Sequence, residues 1–268
     1  MMTYFLDPHL DSGEFCSPTG GSTVRRPRGS QRETVHLLKE KLNIPRSRGL
    51  VHRPRLEDLL RKSVAQFPAT LVSGRAGTGK TAMAAAFART QEHAAWYSVE
   101  SSDIEWNVFA HYFAACVLRA VRSRTPLRDV VPAETEPSQS TMATFLINVF
   151  AVAETKLVHD PFLIVLDGIH HLFDAPWFGE FFGLLLSSLP ENTNLLFLCR
   201  SKPPSPLWRL RSKQQLNVID EKVLAFDLPE TAALTTKLGM KRSEAERLHS
   251  QTFGRISKLL DVIQTGKK

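Results

Sequence analysis

Cysteine is scarce in this chain. Cys16, Cys116 and Cys199 lie far apart in sequence and form no C-x-x-C pair. That argues against a disulfide framework or a zinc site and suits a reducing compartment. Long apolar runs are also missing, since none reaches the roughly 18 residues of a membrane-spanning helix. The N-terminus carries Asp7, Asp11 and Glu14 and lacks the charged-then-apolar order of a secretory leader. No internal repeat and no guanine-reading N-K-x-D motif occurs. The expectation is a soluble cytoplasmic protein with no membrane partner.

Positive charge, by contrast, is in excess and unevenly placed. The formal net charge is +7 and the pI is near 9.5. Between Val24 and Lys62 a run of arginines and lysines is opposed only by Glu33, Glu40, Glu57 and Asp58. Such a stretch can meet nucleic acid, an acidic partner or only solvent. Residues Met1 to Arg32 mix Gly, Ser, Pro and Arg without an apolar period, and are expected to be largely disordered. A basic N-terminal segment, 1–44, is set apart on these grounds.

Beyond it, strand and helix patterns alternate. Apolar runs predict strands at Pro68–Ser73, Ala94–Val99, Pro161–Asp167 and Asn194–Arg200, with a last strand at Leu216–Asp220 whose exit is Lys222–Phe226. Helical spacing predicts helices from Pro54, at Thr81–Thr90, Ile104–Ser123, Thr141–Leu157 and Trp177–Leu189. A polar, proline-bearing connector runs from Arg124 to about Ser140. Three further helices, Pro229–Leu238, Ser243–Thr252 and Arg255–Gln264, close the chain. The fold class is α/β: a parallel sheet with helices on both faces (45–228), followed by a small helical subdomain (229–264). Trp96, Phe109, Phe113, Trp177, Phe181 and Phe182 fall at core-like spacings and are read as packing.

The motif that carries chemistry is GRAGTGKT, Gly74 to Thr81, which fits the phosphate-binding pattern G-x-x-x-x-G-K-[ST]. Gly74, Gly77 and Gly79 let the backbone turn tightly. Its N–H groups, across Arg75, Ala76 and Thr78, then face phosphate oxygens. Lys80 brings a compact positive charge to the outer phosphates. Thr81 offers a hydroxyl to Mg²⁺ and opens a helix whose N-terminus favours anions. Asp167 ends the apolar strand FLIVLD and is the second metal ligand. Arg200 ends LLFLCR and would bring a guanidinium to the γ-phosphate. Ligands of such sheets sit at the carboxyl ends of strands, where Gly74, Asp167 and Arg200 all fall.

Cleavage needs an oriented water, commonly held by a carboxylate. The position after Asp167 is Gly168, which has no side chain. Glu100, at the end of the second strand, is the candidate base, with a surface-turn role as the alternative. His170 and His171 read as structural residues at a helix start.

These residues together resemble the STAND class of signal-transduction ATPases, in the branch of the NTPase modules of large LuxR-type transcription activators related to the maltose regulator. The resemblance covers roughly Leu42 to Ile263. GLVHRPRLEDLL looks like that family's lead-in, and the resemblance implies that Arg53 helps to hold adenine. AAWYSVESSD looks like its second strand and acid-rich turn. FLIVLDGIHHL resembles its Asp-Asp-Tyr-His segment, LCRSKPP its sensor at Arg200, and LAFDLPETAAL and TFGRISKLL the opening and closing of its helical subdomain. The implied fold is a P-loop NTPase of AAA-like type, and the implied cofactors are ATP and Mg²⁺.

Two departures qualify it. Gly168 replaces the second Asp, and an acid placed there is expected to raise turnover. Family members continue into a winged helix, a repeat sensor and often a DNA-binding module, which the residues after the helical subdomain do not accommodate. The expectation is a Mg-ATP-binding regulatory switch with slow or absent hydrolysis and an unknown protein partner. It allows a nucleotide-dependent oligomer, and nucleic acid through the basic stretch. The alternatives are an active ATPase that remodels a protein or DNA partner, and a scaffold with structural nucleotide.

Overall fold

The computed structural model describes residues 35–46, 51–134, 137–157 and 160–265. The expected disordered segment, Met1 to Arg32, lies outside them. From the N-terminal side the elements are α1 (Pro54–Gln66), β1 (Ala69–Ser73), α2 (Lys80–Ala88), β2 (His93–Ser98), α3 (Trp106–Ala120), α4 (Leu127–Val130) and α5 (Gln139–Leu157). Then come β3 (Phe162–Asp167), α6 (Phe178–Ser187), β4 (Thr193–Cys199), α7 (Ser205–Ser212), β5 (Leu216–Ile219) and α8 (Glu221–Leu224). The last helices are α9 (Leu228–Lys237), α10 (Arg242–Thr252) and α11 (Ile256–Thr265). A short 3₁₀ turn, Lys39–Leu42, precedes them all.

The five strands pair in the order β2-β3-β4-β1-β5, all parallel. Strand residues alternate between two cores, as their period of two requires. Leu71 belongs to one apolar cluster and its neighbour Val72 to the other. The first face is aromatic. Trp106, Phe109, Phe113, Phe145, Trp177 and Phe181 from α3, α5 and the start of α6 form one contact set, with ring centroids 4.8 to 6.4 Å apart. All the aromatics read as packing are buried, including Trp96 and Phe182. Residues Met142, Phe145, Leu146, Val149, Phe150 and Ala153 recur at three and four, so α5 buries one long stripe. The second face is lined by small residues of α2 (Ala84, Ala85, Ala88) and by Leu56 and Leu60 of α1. The small size of the α2 residues lets that helix sit close against β3 and β4.

A third cluster, Phe226, Leu234, Leu248, Leu259 and Ile263, is the core of the helical part. Its entry is a reciprocal cap. Asp227 Oδ1 accepts from the Glu230 N–H at 2.7 Å, and Glu230 Oε2 accepts from the Asp227 N–H at 3.1 Å.

One local expectation is corrected, and two stretches hold short helices that the sequence pattern did not predict. Lys222–Phe226 is not strand: Asp220 accepts from the N–H groups of Lys222 and Val223 and turns the chain into α8. The stretch after Arg200 contains α7, which buries Leu207 and Leu210. The connector Arg124–Ser140 also holds α4, with Val130 and Val131 buried.

Candidate functional site

The loop Gly74–Gly79 leaves β1 and returns into α2. Gly77 and Gly79 have φ of +75° and +85°, which side chains other than glycine rarely adopt. A Cβ at Gly77 would also approach Ser257 Cβ to 3.1 Å, so the loop lies against the first turn of α11. Within the loop the Lys80 ammonium donates to the Gly74 carbonyl at 2.5 Å, the Arg75 carbonyl at 2.7 Å and Thr78 Oγ1 at 3.1 Å. Burial lowers the pKa of Lys80, and the Arg200 charge adds to the effect against the pull of nearby acids.

Asp167 reaches the same place from β3. Its Oδ2 accepts from Thr81 Oγ1 at 2.8 Å. Burial raises its pKa, opposed by the Thr81 hydrogen bond and by the charges of Lys80 and Arg200. A partly desolvated carboxylate beside a hydroxyl is an oxygen donor set that suits Mg²⁺, and a cation there would offset the desolvation. The residues present therefore fit the ion. Because β4 lies between β3 and β1, Arg200 emerges between Asp167 and the loop. A cavity of about 460 Å³ joins Lys80, Thr81, Asp167, Arg200, His170 and Glu100. Asp167 and Glu100 are the only carboxylates among its described lining residues.

Gly168 has φ +90°, and a Cβ there would come within 2.6 Å of the Val99 carbonyl oxygen. An acid at this position cannot take up the water-facing place expected for it without moving β2. His170 is held neutral, its pKa lowered to about 4 by burial and by the charges of His171, Arg200 and Lys80. Its Nδ1 is buried and has no hydrogen-bond partner among the described residues.

The other sequence-derived site residues are placed as follows. Glu100 lines the cavity one residue beyond Val99, whose N–H donates to the Asp167 carbonyl at 2.7 Å. Arg53 lines neither this cavity nor the one described next. Its guanidinium donates to the carbonyls of Leu224 and Ala225, each at 3.0 Å, and to Glu230 Oε2 at 2.7 Å. It also lies 4.1 Å from the centre of the Phe226 ring. Arg53 thus ties α1 to the helical part. Arg75, read as a backbone donor to phosphate, gives its N–H to Glu221 Oε2 at 3.1 Å here, and its guanidinium Nη2 donates to Glu221 Oε1 at 2.9 Å.

A second cavity, of about 600 Å³, lies on the other side of the loop. Ala76 and Gly77 are common to both. Its far wall is built by Leu224, Ala225, Phe253, Arg255 and Ile256. Sequence reasoning missed Glu221 and Phe253. Glu221 fell between the strand read at Leu216–Asp220 and its exit at Lys222–Phe226. Phe253, at φ +51°, is 77% exposed and follows no apolar period.

With this geometry in place, residues 52–198 match the AAA ATPase domain family. The chain belongs to that family. This AAA ATPase domain is 29% identical over 195 residues to the HTH-type transcriptional regulator MalT of Vibrio cholerae, covering 72% of this chain and 21% of MalT. It is 32% identical over 193 residues to MalT of Serratia proteamaculans, covering 71% and 20%. The chain thus spans about a fifth of the length of these curated relatives. Among solved structures it resembles the Walker-type ATPase of Pyrococcus abyssi, with a TM-score of 0.51 and 11% identity over 78% of this chain and 65% of that one. That likeness concerns the fold: a parallel P-loop sheet with a helical C-terminal part. Among the described residues, no helix of this AAA ATPase domain is long and apolar enough to cross a membrane.

Proposed function

We propose that this domain is a Mg-ATP-dependent regulatory switch that holds the triphosphate firmly and cleaves it slowly. The observation that supports it is an imbalance within one cavity. The groups that stabilise a bound triphosphate, Lys80, Thr81, Asp167 and Arg200, are all present and convergent. The position next to Asp167 has no room for a carboxylate, because the Val99 carbonyl closes it. Acceleration comes from groups that act on the transition state, and an oriented water is one of them.

Phosphates would lie on the Asp167 side of the loop, where Mg²⁺ between Thr81 and Asp167 would neutralise their charge. The rest of the nucleotide would cross Ala76 and Gly77 into the second cavity, against the helical part. In replacing the loop carbonyls around Lys80, the γ-phosphate would alter the contact between loop and α11, and so the position of α9–α11. ATP over GTP rests on the family resemblance, and likeness to transcription regulators supports a regulatory role with a protein partner.

Titration with a fluorescent ATP analogue and Mg²⁺ tests the binding. Lys80→Ala is expected to weaken it by about 100-fold or more, on the scale of a lost charge-assisted contact. Unchanged affinity would falsify the nucleotide-site assignment. The second reading, an active ATPase that remodels a partner, is favoured by Glu100 alone. Phosphate release at about 1 s⁻¹ or faster, an ordinary enzyme rate, would establish it over the switch.

A further inference from the structure

Glu100 is a surface glutamate with 61% of its side chain exposed. Left alone, such a side chain would sample many rotamers and make a poor water-orienting group. It is not left alone. Lys41, from the 3₁₀ turn before α1, places its ammonium 2.9 Å from Glu100 Oε2. Lys41 is itself fixed. Its side chain is 7% exposed, and it donates to Asp103 Oδ1 at 2.7 Å and Oδ2 at 3.0 Å. Its ammonium also lies 4.9 Å from the centre of the Tyr112 ring. Asp103, 1% exposed, accepts from the Glu100 backbone N–H through Oδ2 at 2.9 Å. Backbone and carboxylate of Glu100 are therefore gripped by one buried ion pair.

A buried ion pair alone is weak evidence of function, because desolvation offsets much of its attraction. Here the third member is an exposed carboxylate that lines the phosphate cavity. We propose that in the slow cleavage described above Glu100, and not a residue beside Asp167, orients and deprotonates the attacking water, and that Lys41 is its positioning residue. In that step the water oxygen bonds to the γ-phosphorus and the bond to the β,γ-bridging oxygen breaks. The electron pair leaves with ADP. The water proton passes to Glu100 and then to solvent. The lead-in before α1 thereby sets the rate at which the domain cuts.

This inference rests on the nucleotide-site reading, and its test separates the two. The full chain is used in single-turnover cleavage of radiolabelled ATP, protein in excess, beside analogue binding. Glu100→Gln is expected to slow cleavage about 100-fold, within the range for loss of a general base. Lys41→Met is expected to slow it about 10-fold with analogue affinity unchanged, and Lys41→Arg to restore most of the rate. In the Glu100→Gln background, Lys41→Met is expected to add nothing, since both act on one group. In nucleotide-free protein, Lys41→Met is expected to speed amide exchange at Glu100 and Asp103. If Lys41→Met does not fold, Lys41→Met/Asp103→Asn removes both buried charges and is measured in its place. Equal slowing by Lys41→Met with and without Glu100, unchanged exchange, or no cleavage by the native chain overturns the proposal. Loss of analogue binding by the native chain would instead remove the reading beneath it.

Discussion

The two cavities that flank the phosphate loop are built by different forces. On the Asp167 side, the site is built at the carboxyl ends of strands: Asp167 ends β3, and Gly74 and Arg200 directly follow β1 and β4. Parallel pairing holds Ser98 opposite Asp167 and Ser73 opposite Cys199, so register sets the spacing of the site. On the helical side no strand takes part. There Arg53, Arg55 and Arg75 reach carboxylates and carbonyls 146 to 177 residues away in sequence. Register in a buried sheet is stiff, because a slip of one residue turns every side chain to the wrong face. Contacts made by charge can be broken and remade singly. The comparison teaches that register fixes the sheet edge, while the helical wall rests on contacts that can change one at a time, as the proposed switch would require.

The comparison can be broken most sharply at Arg53. Arg53→Met takes from Glu230, 7% exposed in its side chain, its buried partner and leaves it only the more exposed Arg55, 3.1 Å from Oε2. Leaving a buried charge with no partner costs about 3 to 5 kcal/mol, so with Arg55 in place the loss is expected to fall below that range. The loss is expected to show as faster hydrogen exchange in α9–α11 with the sheet amides unchanged. Equal loosening of both regions would mean that they are one cooperative unit.

On the other side, Gly168→Ala puts a Cβ at 2.6 Å from the Val99 carbonyl, at φ +90°. Strain of this kind costs about 1 to 3 kcal/mol, and urea unfolding should report it across the sheet. Gly168→Glu is expected to cost as much and not to raise turnover, the reverse of what the sequence suggests. A stable, faster Gly168→Glu variant would show that β2 yields, and that the edge is less fixed than described.

Phe253→Gly at φ +51° removes a left-handed penalty of about 1 kcal/mol and is expected to raise the melting temperature slightly. A fall in stability would mean that the exposed ring is packed against a partner surface of the helical part.

The smallest effect concerns Glu221. Hydrogen bonds from Arg75 hold its carboxyl down to about 2, below the usual 4.5. A depressed carboxylate stabilises the fold above its unfolded value and loses that contribution as pH falls through its folded one. The clamp is expected to contribute fully above about pH 4.5 and to vanish toward pH 2. The urea midpoint of Glu221→Gln should trail the native one at pH 6 and meet it near pH 2. A constant gap across that range would deny the ion pair its role.

The same contrast explains what could be read in advance. Strands β1, β3 and β4 begin and end within a residue or two of their apolar runs, because burial on both faces leaves a continuous signal. Thr81 and Asp167 meet as their positions after these runs imply. The helical wall was not legible, since nothing in the neighbourhood of Arg53 tells that its partner is Glu230. Lys41 looked like one more charge in a basic stretch. Its burial comes from packing beside Tyr112 and Asp103, residues on elements distant in sequence. Helix α7 was hidden by Pro206, by the two prolines before it and by its arginines, with Leu207 and Leu210 its buried residues.

One contact in the helical wall has a mechanical side. Gly254 has φ +69°, and a Cβ on it would overlap the Phe226 carbonyl oxygen at 2.0 Å. The Phe226 N–H donates to the Gly254 carbonyl at 2.8 Å. The chain between α10 and α11 is therefore pressed to the backbone that leads out of α8, with no side chain between to cushion it. If the chain turns at this contact, the contact acts as a pivot and α11 as an arm mounted on it. Ten residues at the helical rise give that arm a length of about 15 Å. A turn of about 10° at the pivot sweeps its tip through about 3 Å by that geometry. A ligand that presses on the near end, where Ser257 meets Gly77, would have its displacement magnified at the far end.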